Sequence, residues 1–497
     1  MLLYDMTDDT ESLYSALMSR DPRFDGVFYV GVTSTGIYCR PVCTARTPKA
    51  ANCRFFDSAE AAEKASFRPC LRCRPELAPG NAPVDDAHRI ATLLVHRIDE
   101  GMLDNGAGLE QIAVQFGWSS RQIRRIVHRE LGVSPIELVL TRRLLLAKQL
   151  LTETRLPMTD VAFASGFSSL RRFNDAFSNR YGIPPTRLRK VADDAPATSA
   201  WKETFTLQLV YRPPFDWHGI LRFLRARTLK GVERVDDDAY LRTVRLGAHA
   251  GWIRVRHAPA RRALSVELTH SLTPVLPALL GRLRNLFDLS ARPDLISEQL
   301  MRDPALAASV AQNPGLRVPG TFDGFELAVR AILGQQITVR AATTLAGRYI
   351  DAFGDPVRTP HELLTHSPPV AQRTAELSVD DIASLGIIQS RARSIIALAC
   401  EVASGRLLLD AGVDPESTMT KLTAIPGIGK WTAHYIAMRA LRWPDAFPRE
   451  DIALRNKLGG VSAARAEELS QPWRPWRSYA TMHLWQSPAI RSGNSSD

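Results

Sequence analysis

No stretch of this 497-residue chain approaches the roughly 18 consecutive apolar residues that a membrane-spanning helix needs. The N-terminal segment, MLLYDMTDDTES, also lacks the basic start and apolar run of a secretory signal. The apolar fraction of 45% and the charged fraction of 23% exclude collagen-like and wholly disordered classes. We therefore expect a cytoplasmic protein without membrane contact, and the length predicts about three or four domains.

The positive charge of the chain is unevenly distributed. Lys and Arg number 63 against 52 Asp and Glu, a net charge of +11. Residues 105–190 hold 14 basic and 6 acidic side chains, whereas residues 1–104 hold 12 and 15. A basic segment favours nucleic acid or an anionic membrane as partner. On composition alone, a solvated basic face explains the segment equally well.

Two segments dense in Pro, Gly and small polar residues, 75–86 and 191–200, indicate linkers. They separate a Cys-rich module, a basic helical module and a long C-terminal region. Apolar and polar residues alternate from about 205 to 270, which predicts an antiparallel sheet with one helix after Pro214; beyond about residue 280 the pattern is helical. The predicted fold class is multidomain and mainly α, with α+β parts.

Four of the six cysteines form two close pairs that are typical of a zinc site. The pairs are Cys39-x3-Cys43 and Cys70-x2-Cys73. Two disulfides are the alternative, but a reducing cytosol disfavours them. Cys53 has no close partner, and Cys400 lies in an apolar helical segment, where we expect a buried, inert thiol.

The residues around these pairs, GIYCRPVC from Gly36 and FRPCLRC from Phe67, resemble the N-terminal zinc domain of the Ada response proteins, which repair methylphosphotriesters in DNA. The likeness covers about residues 5–76. It implies that Cys39 is both a zinc ligand and the methyl acceptor, and that the domain acts once. Basic side chains near the pairs suit a phosphate backbone. They are Arg40, Arg46, Arg68, Arg72 and Arg74, of which we assign Arg46, Arg68 and Arg72 to DNA contact.

Two segments about fifty residues apart have a helix-turn-helix pattern with a Gly-aromatic-Ser-Ser turn, one from residue 109 and one from residue 158. In the second helices, apolar residues share one face. These inward residues are Ile123, Ile126 and Val127 in the first copy, and Leu170, Phe173 and Phe177 in the second. The Ser-Ser pairs, Ser119-Ser120 and Ser168-Ser169, come before the second helices, where Ser is a good N-cap.

This tandem arrangement resembles the AraC-type DNA-binding domain, in which each recognition helix enters one of two successive major grooves. The resemblance implies DNA contacts from Gln122, Arg125, Arg171 and Arg172.

In the C-terminal region, Ile425-Pro426-Gly427-Ile428-Gly429-Lys430 is a tight hairpin that opens a helix, and its backbone amides can bind a phosphate. The spacing is not that of a nucleotide-binding P-loop. Together with Asp451 downstream, the hairpin resembles the helix-hairpin-helix DNA glycosylase superfamily. The AlkA-type 3-methyladenine DNA glycosylase II is the closest likeness, over about residues 204–490. Tyr211–Trp217, Arg330–Gln336 and Trp473–Tyr479 carry it.

This resemblance implies that Asp451 is the catalytic carboxylate and that Trp431, Tyr435 and Trp485 stack on a flipped base, although Tyr435 also suits an ordinary helical core. It implies DNA contacts from Gly427, Gly429 and Gln336. Gln336 stands where the family inserts a Leu wedge into the duplex. Trp431 stands where strand-nicking members have a Lys, which favours a monofunctional glycosylase.

We interpret the chain as a fused alkylation-response protein with four domains: a zinc repair domain (1–78), an AraC-type domain (84–190), an α+β subdomain (201–300) and a glycosylase domain (301–497). The implied cofactor is Zn²⁺. The implied partners are alkylated and promoter double-stranded DNA and RNA polymerase, for a monomeric protein. No Pro-Cys-His-Arg string occurs, so we expect no alkylguanine repair. Two alternatives are a regulator with an inactive glycosylase domain, and a repair enzyme anchored non-specifically by its helix-turn-helix.

Overall fold

The computed structural model describes residues 10–20, 28–56, 59–75, 119–192 and 203–486, with positions 91, 94, 95, 98, 109, 110 and 113 between them. The chain divides into two compact units, one of residues 1–95 and 107–138, the other of residues 96–106 and 139–497. The division falls within one helix, Pro135–Glu153. No helix among the described residues is long and apolar enough to cross a membrane.

The first unit contains a four-stranded sheet in the order β3-β1-β2-β4. Its elements are α1 (Thr10–Ser19), β1 (Tyr29–Val32), β2 (Ile37–Cys39), β3 (Cys53–Phe56), α2 (Ala59–Lys64) and β4 (Arg68–Pro69). Strands β2 and β4 run parallel, with Tyr38 opposite Pro69. The next residue along each strand is a cysteine of a different pair, so the register of this sheet brings the two cysteine pairs together.

Five helices follow in the part of the basic region from residue 119 to 192 that the structure describes. They are α3 (Ser120–Leu131), α4 (Pro135–Glu153), α5 (Met158–Ala164), α6 (Leu170–Tyr181) and α7 (Pro185–Ala192). Helices α3 and α6 are the predicted recognition helices. Of the predicted helix from residue 109, positions 109, 110 and 113 are described and are helical. In the first Gly-aromatic-Ser-Ser turn, Gly117 and Trp118 lie outside the described residues.

An antiparallel sheet begins the C-terminal region, as the alternating pattern predicts. It consists of β5 (Thr204–Val210), β6 (Glu233–Val235), β7 (Ala239–Leu246), β8 (His249–Ala258) and β9 (Ala263–Thr269), in the order β5-β9-β8-β7-β6. Helix α8 (Trp217–Arg225) follows Pro214 and is capped by the Asp216 side chain. Strand β6 escaped prediction because three residues are too few to display an alternation.

The described remainder, up to Gln486, is helical, as predicted, apart from the two-residue strands β10 (Asp355–Pro356) and β11 (His366–Ser367). The helices are α9 (Leu276–Leu286), α10 (Pro293–Leu300), α11 (Pro304–Gln312), α12 (Gly324–Leu333), α13 (Val339–Phe353), α14 (Ala371–Ala375), α15 (Val379–Ala383), α16 (Gln389–Ala403), α17 (Pro415–Ala424), α18 (Lys430–Arg439), α19 (Ile452–Lys457), α20 (Ala463–Leu469) and α21 (Arg477–Gln486). Helices α12, α13, α16 and α18 share one apolar cluster, and Ile425 and Ile428 anchor the hairpin in it.

Candidate active site and metal centre

The structure brings Cys39, Cys43, Cys70 and Cys73 together, with all four Sγ atoms within 4.8 Å of one another. A tetrahedral zinc thiolate with bonds of about 2.3 Å places its sulfurs about 3.8 Å apart, so this cluster fits the ion with little movement. Cys43, Cys70 and Cys73 are buried, whereas Cys39 is only partly buried. Of the four cysteines, Cys39 is therefore the residue with the largest exposed fraction.

The crowding of the sulfurs also indicates a cation. Hydrogen bonds with the Cys43 and Cys73 side chains, together with burial and the charges of these neighbours, raise the pKa of the Cys39 thiol. Hydrogen bonds with the Cys39 and Cys73 side chains lower the pKa of Cys43, because they stabilise its thiolate. One thiolate thus suppresses the ionisation of its neighbour. All four sulfurs can ionise together only around a positive ion.

The arginines of this unit differ in exposure. Arg40 is completely buried, and its backbone N–H donates to Cys73 Sγ at 3.5 Å, so it supports the cluster from within. Arg46, Arg68 and Arg72 are exposed, and Arg72 donates to the backbone carbonyl of Thr44. The three arginines assigned to DNA contact therefore lie on the surface.

The two remaining cysteines lie outside the cluster. Cys53 Sγ donates to the Lys49 carbonyl at 3.4 Å, and burial raises the pKa of its thiol. The prediction that Cys400 is buried is wrong, because its side chain is exposed on α16. The buried face of that helix includes Ile395 and Ala399, and the next position turns away from this face.

In the first recognition helix, α3, the predicted inward residues Ile123, Ile126 and Val127 are buried, which confirms the predicted face. The Ser119 side chain caps the helix, and Gln122 Oε1 in turn accepts from the Ser119 backbone N–H at 2.9 Å. Gln122 and Arg125, which are predicted to contact DNA, are exposed. The Gln122 carbonyl oxygen is nevertheless already engaged by the cap.

The second recognition helix, α6, repeats this arrangement. Ser169 caps its N-terminus, and Phe173 and Phe177 are buried, as predicted. Arg171 and Arg172 are exposed; the Arg171 side chain retains 92% of its accessible surface and lies 4.0 Å from Asp175. The outward face of this helix therefore presents two cations to solvent.

The hairpin between α17 and α18 leaves the start of α18 open. Gly429 is the N-cap residue, and no side chain caps the helix. Gly427 has a φ of +87° and is exposed with Gly429, while Ile425 before them and Ile428 between them are buried. Ser394 Oγ donates to the carbonyl of Pro426 at 2.7 Å and holds the turn from behind. The exposed backbone N–H groups at the helix start can donate hydrogen bonds to a phosphate.

The two hairpin glycines differ in what a methyl group would meet. In Gly427→Ala the new Cβ would lie 2.2 Å from Ser394 Oγ, at a positive φ. A positive φ alone costs an alanine about 1–2 kcal/mol. We expect the free energy of unfolding, measured with denaturant, to fall by at least that amount. Gly429→Ala is the matched control, because its φ is −88° and no atom lies within 4 Å of the new Cβ; an equal loss in both variants would refute this account.

The loop between α12 and α13 lies against the hairpin. Gln335 Nε2 donates to the carbonyl of Gly427 at 2.9 Å and to Thr432 Oγ1 at 3.1 Å. Arg391 donates to the Gln335 carbonyl. The next residue, Gln336, is exposed and has a φ of +56°, which is rare for a residue with a side chain and frequent at functional sites.

Asp451 occupies the N-cap of α19 and accepts three hydrogen bonds. Its Oδ1 accepts from the Leu454 backbone N–H at 2.8 Å and from Trp485 Nε1 at 3.3 Å, and its Oδ2 accepts from Trp431 Nε1 at 2.8 Å. The carboxylate is partly buried. Both tryptophans predicted for the base pocket therefore contact the predicted catalytic residue directly.

Tyr435 joins this group one helical turn after Trp431. The two rings stack with centroids 5.3 Å apart and an interplanar angle of 7°, and the Trp485 ring lies 6.5 Å from that of Tyr435. Tyr435 is partly exposed and belongs at the same time to the margin of an apolar cluster. The three aromatic residues and Asp451 thus form one continuous group.

A set of arginines lies behind Tyr435 and was not anticipated from the sequence. Arg439 Nη1 donates to Tyr435 Oη at 2.7 Å. Burial would raise the pKa of the Tyr435 phenol, but the positive charges of Arg439, Arg227 and Arg330 outweigh it and lower the pKa to about 8. These arginines come from α8, α12 and α18 or residues beside them, so no local pattern could indicate their meeting. The phenol oxygen is accordingly held as a hydrogen-bond acceptor.

Four known protein families match four successive segments of the chain. These are the metal binding domain of Ada over residues 12–76, a helix-turn-helix domain over 112–191, the AlkA N-terminal domain over 206–323, and the HhH-GPD superfamily base excision DNA repair protein over 329–474.

Curated relatives match both the whole chain and its parts. The probable bifunctional transcriptional activator/DNA repair enzyme AlkA of Mycobacterium tuberculosis is 42% identical over 487 residues, which cover 97% of each chain. DNA-3-methyladenine glycosylase 2 of Escherichia coli is 35% identical over 277 residues, 56% of this chain and 95% of that enzyme. The bifunctional transcriptional activator/DNA repair enzyme Ada of E. coli is 35% identical over 130 residues, 26% of this chain and 34% of that protein. The chain therefore belongs to the family of AlkA-type bifunctional transcriptional activators and DNA repair enzymes.

Proposed function

We propose that this chain repairs alkylated DNA by two separate chemistries, base excision in its C-terminal region and methyl transfer to Cys39 in its N-terminal domain, and that it activates transcription as a sequence-specific regulator. The observation that carries the excision half is the Asp451 carboxylate, held between the indoles of Trp431 and Trp485. A regulator with a dead glycosylase domain would not need this arrangement.

In the excision step, Asp451 stabilises the positive charge that develops on the sugar and orients the attacking water. The N-glycosidic bond breaks, and the base leaves with the bonding electron pair. An alkylated purine is already cationic, so it leaves readily and is attracted to the electron-rich faces of Trp431, Tyr435 and Trp485. One carboxylate and an aromatic pocket can therefore suffice.

We assign the glycosylase as monofunctional. A strand-nicking lyase needs a lysine amine in the pocket to form a Schiff base with the sugar. Position 431 is a tryptophan, and the neighbouring Lys430 is exposed at the first residue of α18. Its amine therefore belongs to the outer surface beside the hairpin, where it suits a DNA phosphate.

We propose that Cys39, Cys43, Cys70 and Cys73 hold Zn²⁺. When bound, zinc would keep Cys39 as a thiolate at neutral pH. Cys39 Sγ attacks the methyl carbon of a phosphotriester, a sulfur–carbon bond forms, and the carbon–oxygen bond breaks to release the phosphodiester anion. The partial exposure of the Cys39 residue, beside three buried cysteines, supports its assignment as the acceptor. The thioether is stable, so each molecule reacts once.

Further DNA contacts are proposed for each domain. Exposed cations suit the phosphate backbone in the zinc domain, and outward side chains of α3 and α6 suit the major groove. In the glycosylase, the backbone N–H groups of the hairpin bind a phosphate, and Gln336, the loop residue with a positive φ, enters the duplex. The residues are Arg46, Arg68 and Arg72; Gln122, Arg125, Arg171 and Arg172; and Gly427, Gly429 and Gln336. The same proposal includes four domains, with the limits 1–78, 84–190, 201–300 and 301–497. It also includes contact with RNA polymerase and a monomeric state.

One incubation tests both chemistries. The full-length protein is incubated with methylated DNA, and both the released bases and the methylated protein are measured. We expect 3-methyladenine to be released catalytically, while protein methylation stops at one group per chain. Release of no base would reject the glycosylase assignment, and more than one methyl group per chain would reject the single-acceptor assignment.

Methylation of Cys39 is also expected to strengthen promoter binding. Conversion of a thiolate to a thioether removes one negative charge from a surface that faces phosphates. By the counterion-release relation, one favourable charge step changes the slope of log K against log salt by about one unit. A salt titration of methylated and unmethylated protein on promoter DNA measures this difference. Equal affinities across the titration would contradict the switch.

A further inference from the structure

The strand β5 is an edge strand, because it pairs only with β9 in the five-stranded sheet. Edge strands leave backbone N–H and C=O groups without a ladder partner. At Gln208, both of these groups are satisfied by side chains of helix α4. Its N–H donates to Glu153 Oε2 at 2.8 Å, and its carbonyl accepts from Gln149 Nε2 at 2.7 Å.

Gln149 and Glu153 act as one unit on α4. They lie one helical turn apart, and Gln149 Nε2 also donates to Glu153 Oε2 at 3.0 Å. The pair therefore presents a donor and an acceptor side by side, as the backbone of a neighbouring strand would. Glu153 and Gln208 are 55 residues apart in sequence, so this is a tertiary contact rather than a local turn.

A second contact accompanies the first. Helix α5, the next helix of the helix-turn-helix region, packs against the 3-10 helix His270–Val275 that follows β9. Val161 and Ala162 on α5 are buried, and they belong to the same apolar cluster as Leu207 and Leu209 on β5. The contact thus combines an apolar part with the two hydrogen bonds to the strand edge.

We propose that Gln149 and Glu153 form a docking contact by which the second half of the helix-turn-helix domain binds the edge of the glycosylase sheet within the same chain. The second recognition helix and the glycosylase then behave as one body. The docked arrangement leaves α6 open to DNA, because Arg171 and Arg172 remain exposed in it. A promoter-bound protein therefore carries its glycosylase in a fixed orientation instead of on a free tether.

Amide hydrogen exchange of the full-length protein tests the contact directly. In the double variant Gln149→Ala/Glu153→Ala, the Gln208 amide loses its acceptor, and its exchange should accelerate about tenfold, the effect expected from one lost hydrogen bond. The amides of Leu207 and Leu209 alternate with Gln208 and point towards β9, so they serve as internal controls. Thr152→Ala on α4 is the matched control, because the Thr152 hydroxyl donates only to carbonyls of its own helix. Rapid exchange at Gln208 in the unaltered protein would overturn the proposal.

A cleavage experiment measures whether the contact holds the two parts together. A protease site is placed between residues 193 and 200 of the full chain, and the folded protein is cut there. The two fragments should co-elute in gel filtration for the parent and for Thr152→Ala, and they should separate for the double variant. Separation in the parent, or continued co-elution of the double variant, would refute the docking role of the pair. A two-chain mass for the uncut protein would instead identify a second copy as the partner and overturn the intramolecular assignment. Neither readout depends on excision or methyl transfer.

Discussion

Replacement of Asp451 by Asn is expected to lower the rate of 3-methyladenine release by about 10²–10³-fold, the usual cost of losing one electrostatic contribution to a transition state. Asn caps a helix about as well as Asp, so the bond to the Leu454 N–H and the fold should persist. The neutral amide cannot balance the charge on the sugar. The loss should be milder for 7-methylguanine, whose cationic base needs the least help, than for neutral bases, and methyl transfer to Cys39 should be unchanged.

The chain supplies a matched control for this substitution in Asp303. Asp303 also caps a helix, through the Ala305 N–H at 2.8 Å, and also accepts from an indole, that of Trp473 at 2.6 Å. Its partner Trp473 is not among the three pocket aromatics. Asp303→Asn should therefore leave the rate of base release unchanged while making the same chemical alteration. Undiminished release by Asp451→Asn would show that its carboxylate only caps α19.

Replacement of Cys39 by Ser is expected to abolish methyl transfer from DNA phosphotriesters, because a serine hydroxyl is not ionised at neutral pH and is a far weaker nucleophile than a thiolate. In the unaltered protein, a peptide map should show a gain of about 14 Da on Cys39 alone, as expected for one transferred methyl group. Base excision by Cys39→Ser should match that of the parent, because Asp451 and the aromatic pocket belong to a separate domain.

Two other cysteines provide the controls. Cys53 and Cys400 lie outside the sulfur cluster, and Cys400 is exposed on α16. Cys53→Ser and Cys400→Ser should each retain the full single methylation. A methyl group on Cys400 would show that exposure alone selects the acceptor. The zinc content of Cys39→Ser shows whether methyl transfer is lost with the nucleophile alone or with the whole metal centre. A Cys39→Ser protein that still accepts a methyl group without bound metal would disprove the assignment.

Short-range patterns predicted the local features of this molecule well. The spacing of Ile123, Ile126 and Val127 predicted a buried face, and the Ser-Ser pair of each turn predicted a helix N-cap. Both expectations are confirmed, and the capping residues are Ser119 and Ser169. The buried face depends on the 3.6-residue period of the helix, and the N-cap depends on hydrogen bonds within the first turn. Both involve residues that are close together in the sequence, so the sequence alone predicts them. The cysteine spacing likewise predicted a cluster that the parallel register of β2 and β4 then assembles.

Long-range features escaped prediction for a physical reason. The arginines behind Tyr435 come from separated helices, and the contact of Gln149 with β5 depends on which strand is the sheet edge. Neither the arginine cluster nor the contact with β5 produces a periodic pattern in the sequence. Cys400 shows the converse error, because an apolar segment indicates a helix but a helix buries only the face that meets a neighbour. The direction of that face is decided by tertiary packing.

The side chain of Gln335 ties two parts of the glycosylase together. It bonds to the hairpin at Gly427 and to α18 at Thr432, and the next residue is Gln336. On the proposed assignment, the hairpin grips one phosphate and Gln336 enters the duplex. The number of nucleotides between the gripped phosphate and the opened base pair is then a property of the protein, identical at every position along the DNA. The enzyme can therefore test successive base pairs by moving along the strand with this fixed separation, and it does not need to recognise the surrounding sequence.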